Sequence, residues 1–127
     1  MKRIVANICV PNCINALKYY QEIFGGNIEQ VVRQSDSLSM IVHAELKINN
    51  DISLFLRDTK EAIPHSQAVT FILEVEDQEE MISLYNKLRK GGVVVSPLEK
   101  TLRGKQNGFV TDKYGVTWGL MYGTHHQ

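Results

Sequence analysis

The chain has 127 residues, 43% of them hydrophobic and 22% charged, which suits one compact domain with a buried core. Fourteen basic residues balance fourteen acidic ones, so no global field draws in a polyanion and no nucleic-acid partner is expected. No apolar run approaches the ~20 residues that span a bilayer, Asn7 and Pro11 break the opening MKRIVANICVPNC too early for a signal peptide, and Cys9 and Cys13 are too few for a disulfide scaffold. A cytoplasmic protein with reduced thiols and no membrane partner is expected.

The alternating small and β-branched residues of MKRIVANICV predict a first strand, ended by Pro11-Asn12. From Cys13 the apolar positions Ala16, Leu17, Tyr20, Ile23 and Phe24 follow helical spacing, and Gly25-Gly26 supply the stop. Strands are predicted over 28–33, 40–48 and 52–56, with a polar loop around Ser35-Asp36-Ser37 and a turn at Asn49-Asn50-Asp51. The stretch 57–67 is polar, contains Pro64 and lacks a period, so it reads as a connection. The same plan then restarts: a strand over 68–75, a helix opened by Asp77 with Glu80 three residues on, an apolar stripe of Met81, Leu84, Tyr85 and Leu88, the stop Gly91-Gly92, and strands over 93–97, 108–112 and 116–122. Residues 1–127 thus read as one domain of two tandem β-α-β-β-β modules, about 1–56 and 68–123.

Strand parity separates the faces. Val42, Ala44, Leu46 and Ile48 oppose His43, Glu45 and Lys47; Ile52, Leu54 and Leu56 oppose Ser53 and Phe55. In the second module Phe71, Leu73 and Val75 oppose Thr70, Ile72 and Glu74, and Val116, Trp118, Leu120 and Tyr122 oppose Thr117, Gly119 and Met121. The apolar faces are expected under the helices, which makes Trp118 and Tyr122 core residues. The mixed faces are expected to line a concave cup that takes a small molecule, with Val5, Asn7, Ser53, Phe55, Thr70, Ile72, Thr117, Gly119 and Met121 as pocket residues. Phe55, Ile72 and Met121 would form its apolar wall, and Ser53, Thr70 and Thr117 would supply hydrogen bonds.

Three segments carry a family resemblance: A-L-K-Y-Y-x-x-I-F-G-G at 16–26, H-A-E-L-K-I at 43–48 and D-K-Y-G-V-T-W at 112–118. With the paired modules, they make the chain resemble the vicinal-oxygen-chelate superfamily of glyoxalases, extradiol dioxygenases and bleomycin- and fosfomycin-resistance proteins, and within it the PhnB-like branch. Arg103 before Gly104 departs from that branch, where Trp is frequent. The resemblance implies an α+β fold whose two mixed sheets form a cup with helices outside, and a homodimer as the expected assembly. It also implies four metal-ligand positions, which fall on Val5, Ser53, Thr70 and Gly119. Val5 and Gly119 have no donor atom, and neutral hydroxyls are weak ligands, so neither a metal nor another cofactor is expected.

His43 and Glu45 share a strand face and are the candidates for a proton-transfer pair or a displaced metal site. His65 sits in the connection, and His125 and His126 lie at the C-terminal end. Cys13 opens a helix, where the dipole can lower a thiol pKa; Cys9 and Cys13 also read as small core residues. Neither glycine pair belongs to a nucleotide-phosphate loop. The expected function is therefore metal-independent binding of a small molecule. The alternatives are a lyase, isomerase or dioxygenase-type enzyme around His43 and Glu45, and a protein-interaction module.

Overall fold

The computed structural model describes residues 1–61, 64, 66–100 and 106–123. His65, Arg103, Gly104, His125 and His126, singled out in the sequence, lie outside the described residues. The chain divides into two compact units, residues 1–64 and 65–127.

The first unit runs β1 (Ala6–Val10), α1 (Cys13–Phe24), β2 (Asn27–Gln34), β3 (Ser37–Lys47) and β4 (Ser53–Asp58). The second repeats it as β5 (Phe71–Glu74), α2 (Gln78–Arg89), β6 (Val93–Lys100), β7 (Gln106–Thr111) and β8 (Thr117–Tyr122). The sheets have matching strand orders, β1-β4-β3-β2 and β5-β8-β7-β6. In each, the first strand pairs with the last in parallel and every other neighbour is antiparallel. This α+β arrangement of two mixed sheets is the predicted tandem β-α-β-β-β plan.

α1 exists because its apolar stripe has somewhere to go. Cys13, Ala16, Leu17 and Tyr20 are fully buried, with Val10, Ala44, Leu46 and Leu56 of the sheet beneath. Its start is capped from outside the helix. Asn12 adopts a left-handed conformation (φ 60°) and makes no side-chain cap; the Cys13 amide instead donates to Asp58 Oδ1 at 2.7 Å. α2 has the local cap predicted for it: Asp77 accepts from the Glu80 amide at 2.7 Å. Met81 and Leu88 are its fully buried residues.

The glycine pairs do more than stop the helices. A Cβ on Gly26 would strike the Lys47 carbonyl, and one on Gly92 would strike the Thr111 carbonyl. In both units the strand after the helix passes against the end of its neighbour's backbone, and only glycine leaves that space.

The turns closing β3–β4 and β7–β8 have one backbone pattern and two side-chain solutions. Ile48 donates to the Ile52 carbonyl at 2.9 Å, and Asp112 to the Val116 carbonyl at 2.8 Å. In the first turn Asn49 Oδ1 accepts from the Asp51 and Ile52 amides. In the second Asp112 Oδ1 accepts from the Tyr114 and Val116 amides, and its other oxygen accepts from Trp118 Nε1 at 2.8 Å. The D-K-Y-G-V-T-W segment is thus a turn tied to the core indole.

The structure corrects several boundaries. The first strand begins only at Ala6 and β5 only at Phe71; β4 extends through Arg57 and Asp58; β6 runs on past Pro97; the loop at 35–37 shrinks to a two-residue turn at Ser35-Asp36. Ile52 is half exposed, so the apolar parity of β4 starts at Leu54. Parity in β3 changes as well: Ile41 is buried and Val42 is exposed. The cause is Asp58, whose Oδ2 accepts from the Ile41 amide at 2.8 Å where a strand carbonyl would otherwise stand. Tyr122 is partly exposed, whereas Trp118 is buried as expected.

Both Asp58 and Asp112 spend both oxygens on N–H donors. An asparagine at either position must turn its NH2 toward one of them, so Asp58→Asn and Asp112→Asn are each expected to cost about 2 kcal/mol in urea unfolding. Asp36→Asn, in an exposed turn, is expected to stay within ~0.5 kcal/mol.

Candidate functional site

The sheet face of the first unit opposite α1 is ordered by register. Asn7 lies beside Phe55, Phe55 opposite Glu45, and Glu45 opposite Glu29. In the adjacent row Ser53 stands opposite Lys47. His43, Glu45, Ser53 and Phe55 are all half-buried; Asn7 is exposed, and half-buried Val5 precedes β1.

Four of these side chains form two contacting pairs, Ser53 with Glu45 and His43 with Phe55, and Arg3 bridges them. Ser53 Oγ donates to Glu45 Oε2 at 2.6 Å. Arg3 Nη2 lies 3.9 Å from the same oxygen, and its guanidinium stands 5.5 Å from the Phe55 ring centroid. The His43 ring meets Phe55 edge-on at 4.8 Å. The Arg3 contacts are modest: its side chain is 50% exposed, so the ion pair is screened, and such a cation–ring contact is worth about 0.5–1 kcal/mol. The short Ser53–Glu45 bond is the stronger tie. His43 and Glu45 share a face as predicted, yet each is held by different neighbours.

Sequence reasoning missed Arg3. The signal was the parity itself, which extends from Asn7 through Val5 to residue 3 beyond the end of β1.

In the second unit, Gly119 is paired with Ile72 on one side and Phe109 on the other. Their side chains close over it: a Cβ there would stand 2.7 Å from Phe109 Cε2 and collide with Ile72 Cδ1 as well. Phe109, which parity analysis of the other strands passed over, completes an apolar wall with Ile72. Met121, half-buried, lies opposite Asn107 and Glu74. Thr117 is buried, its hydroxyl 2.7 Å from that of Thr111. Thr70 is half-buried just before β5.

These residues do not fit a chelated divalent cation. Of the four positions that the resemblance assigns to ligands, Val5 and Gly119 lack a donor, and the Ser53 hydroxyl is already engaged by Glu45. Among the described residues no group of three or more His, Cys, Asp and Glu side chains gathers.

Cys13 behaves as core. Burial first, then the negative charge of Asp58 and finally Cys9, push its thiol up to about 12. The helix-dipole effect is overridden because the amide that would stabilise a thiolate is given to Asp58. Cys9 is partly exposed on the mixed face, opposite Arg57. At pH 8 iodoacetamide is therefore expected to label Cys9 about tenfold or more faster than Cys13 in the folded protein, read by peptide mass spectrometry. Gly119→Ala is expected to cost about 1–3 kcal/mol, with Ile72→Ala recovering part of it in the double variant.

A family model described as 3-demethylubiquinone-9 3-methyltransferase matches residues 8–121. Among solved structures, a PhnB protein from Bacillus cereus is similar at 22% identity and a TM-score of 0.82, over 96% of this chain and 100% of that one. Protein PA1353 from Pseudomonas aeruginosa is similar at 27% identity and a TM-score of 0.81, over 96% and 98%. A glyoxylase/bleomycin resistance protein/dioxygenase domain from Frankia sp. EAN1pec follows at 14% identity and 0.74, over 100% and 96%. No curated protein matches the sequence significantly.

Proposed function

Because the chain belongs to the family described as 3-demethylubiquinone-9 3-methyltransferase and has the glyoxalase/bleomycin resistance/dioxygenase fold, we propose that it binds a small organic molecule without a metal. The ligand lies on the mixed face of the first unit's sheet, and the protein acts as a homodimer. The observation that carries this reading is the cluster of half-buried His43, Glu45, Ser53 and Phe55 with Arg3 at its exposed edge. Phe55 offers an aromatic surface, and Glu45, fixed by Ser53, accepts a hydrogen bond from a polar ligand group. In the second unit, Ile72, Phe109 and Met121 give that sheet an apolar surface of its own. Donor chemistry at Val5, Ser53, Thr70 and Gly119 supports the metal-free part of the proposal.

The family's description names a methyl transfer. Nucleotide-type donors are cradled by glycine-rich strand-to-helix turns. Here those turns are Val10-Pro11-Asn12-Cys13 and Val75-Glu76-Asp77-Gln78, without glycine, and their helix starts are filled by Asp58 and Asp77. The residues do not fit a donor held in that way, which supports binding over methyl transfer. A lyase, isomerase or dioxygenase-type reaction on His43 and Glu45 needs the two groups to act on one substrate. Their separate anchoring, on Phe55 and on Ser53, favours positioning roles for both.

Native mass spectrometry with elemental analysis tests the proposal. The expected result is twice the 14.4 kDa chain mass, a small organic adduct that Phe55→Ala removes, and no stoichiometric divalent metal. A stoichiometric metal overturns the metal-free reading, and a species of 14.4 kDa alone at micromolar concentration in equilibrium sedimentation overturns the dimer.

A further inference from the structure

The β3–β4 ladder stops at Ala44–Leu56. Beyond it β4 stays with β1, through Cys9–Arg57, Val10–Asp58 and the Thr59 amide on the Val10 carbonyl at 3.0 Å. β3 stays with β2, through His43–Val32 and Ile41–Arg33. The first sheet therefore splits along its middle seam, and the Asp58–Ile41 hydrogen bond crosses the split. A cavity of about 420 Å³ opens there, between residues 40–42 and residues 57–61, within the size range of small-ligand sites, roughly 300–1,000 Å³.

The charges lining the cavity balance in number, but they are not paired with one another. Arg57, Lys60, Asp58 and Glu61 all contribute to its wall. Both Asp58 oxygens already accept main-chain N–H bonds, one of them from the start of α1, so this buried carboxylate keeps its charge but is turned to the main chain and not to the cavity's cations. Among the described residues neither Arg57 nor Lys60 has an ion-pair partner, so both cationic groups are open to an anion. Met40 and Val42 give the opposite side an apolar surface, and Val42 is exposed because of the parity change that Asp58 imposes.

We propose that this split is a binding site for a small organic monocarboxylate, with the carboxylate on Arg57 and Lys60 and the apolar chain along Met40 and Val42. It lies at the far end of β4 from Ser53 and shares no residue with the Arg3–His43–Glu45–Ser53–Phe55 cluster, so the two sites are told apart by which residues respond.

The test is an NMR amide titration of the full chain with sodium hexanoate, and with hexanol for comparison. Hexanoate is expected to shift the amides of residues 40–42 and 57–61 saturably and to bind more tightly than hexanol. Arg57→Gln combined with Lys60→Gln is expected to weaken hexanoate about tenfold or more, while Glu61→Gln tightens it. Lys90→Gln, which removes a charge in the second unit, is expected to leave it unchanged. Equal binding of hexanoate and hexanol, wild-type affinity in the double variant, or no saturable shift up to tens of millimolar overturns the proposal. Saturable shifts centred on residues 43–45 and 53–55 overturn it too, by assigning the anion to the other site.

Discussion

A single buried carboxylate holds the first unit in register. Asp58, at the end of β4, accepts from the first amide of α1 and from the Ile41 amide of β3. One side chain thereby fixes where the helix begins, how it sits on the sheet and where β3 leaves β4. Each of those N–H groups is buried, and a buried donor left unpaired costs about 1–3 kcal/mol, so the three elements are bound to one another energetically as well as by packing. The same residue adds to the burial that suppresses the acidity of Cys13, blocks the helix start from an outside anion and exposes Val42. Asp112 has the corresponding role in the second unit, where it ties a turn to the indole of Trp118.

The two units share a plan and differ in how side chains carry it out. Gly26 and Gly92 yield the same space to a neighbouring carbonyl, and the backbone pairs at Ile48–Ile52 and Asp112–Val116 close equivalent turns. α1 is capped by a residue far along the chain, α2 by its own Asp77. The mixed faces diverge most. One carries charge, imidazole and hydroxyl around Phe55; the other buries a glycine beneath Ile72 and Phe109.

The features legible in the sequence are those set by neighbours in the chain. The helical stripe from Cys13 to Phe24, the Asp77 cap, the glycine stops and the turn residues all act within a few positions, and their periodicity exposed the repeat. Strand parity is legible wherever the ladder is regular, which is why alternation alone puts His43 and Glu45 on one face of β3, and Ser53 and Phe55 on one face of β4. It failed at Val42, because the partner that diverts the strand, Asp58, lies 17 residues away from Ile41. Arg3 escaped notice for a related reason: it precedes β1 and reaches the site only through Glu45 and Phe55. The cavity at the seam has no local signature, since it arises from two strands choosing different neighbours.

We propose at the centre of this reading that the mixed sheet face contacts an organic ligand directly, without a metal. Anomalous diffraction from crystals grown with manganese, whose signal identifies the ion by its absorption edge, addresses this atom by atom. The account predicts no ordered manganese within bonding distance of Ser53 Oγ or Thr70 Oγ1. A full-occupancy peak at either hydroxyl would contradict it.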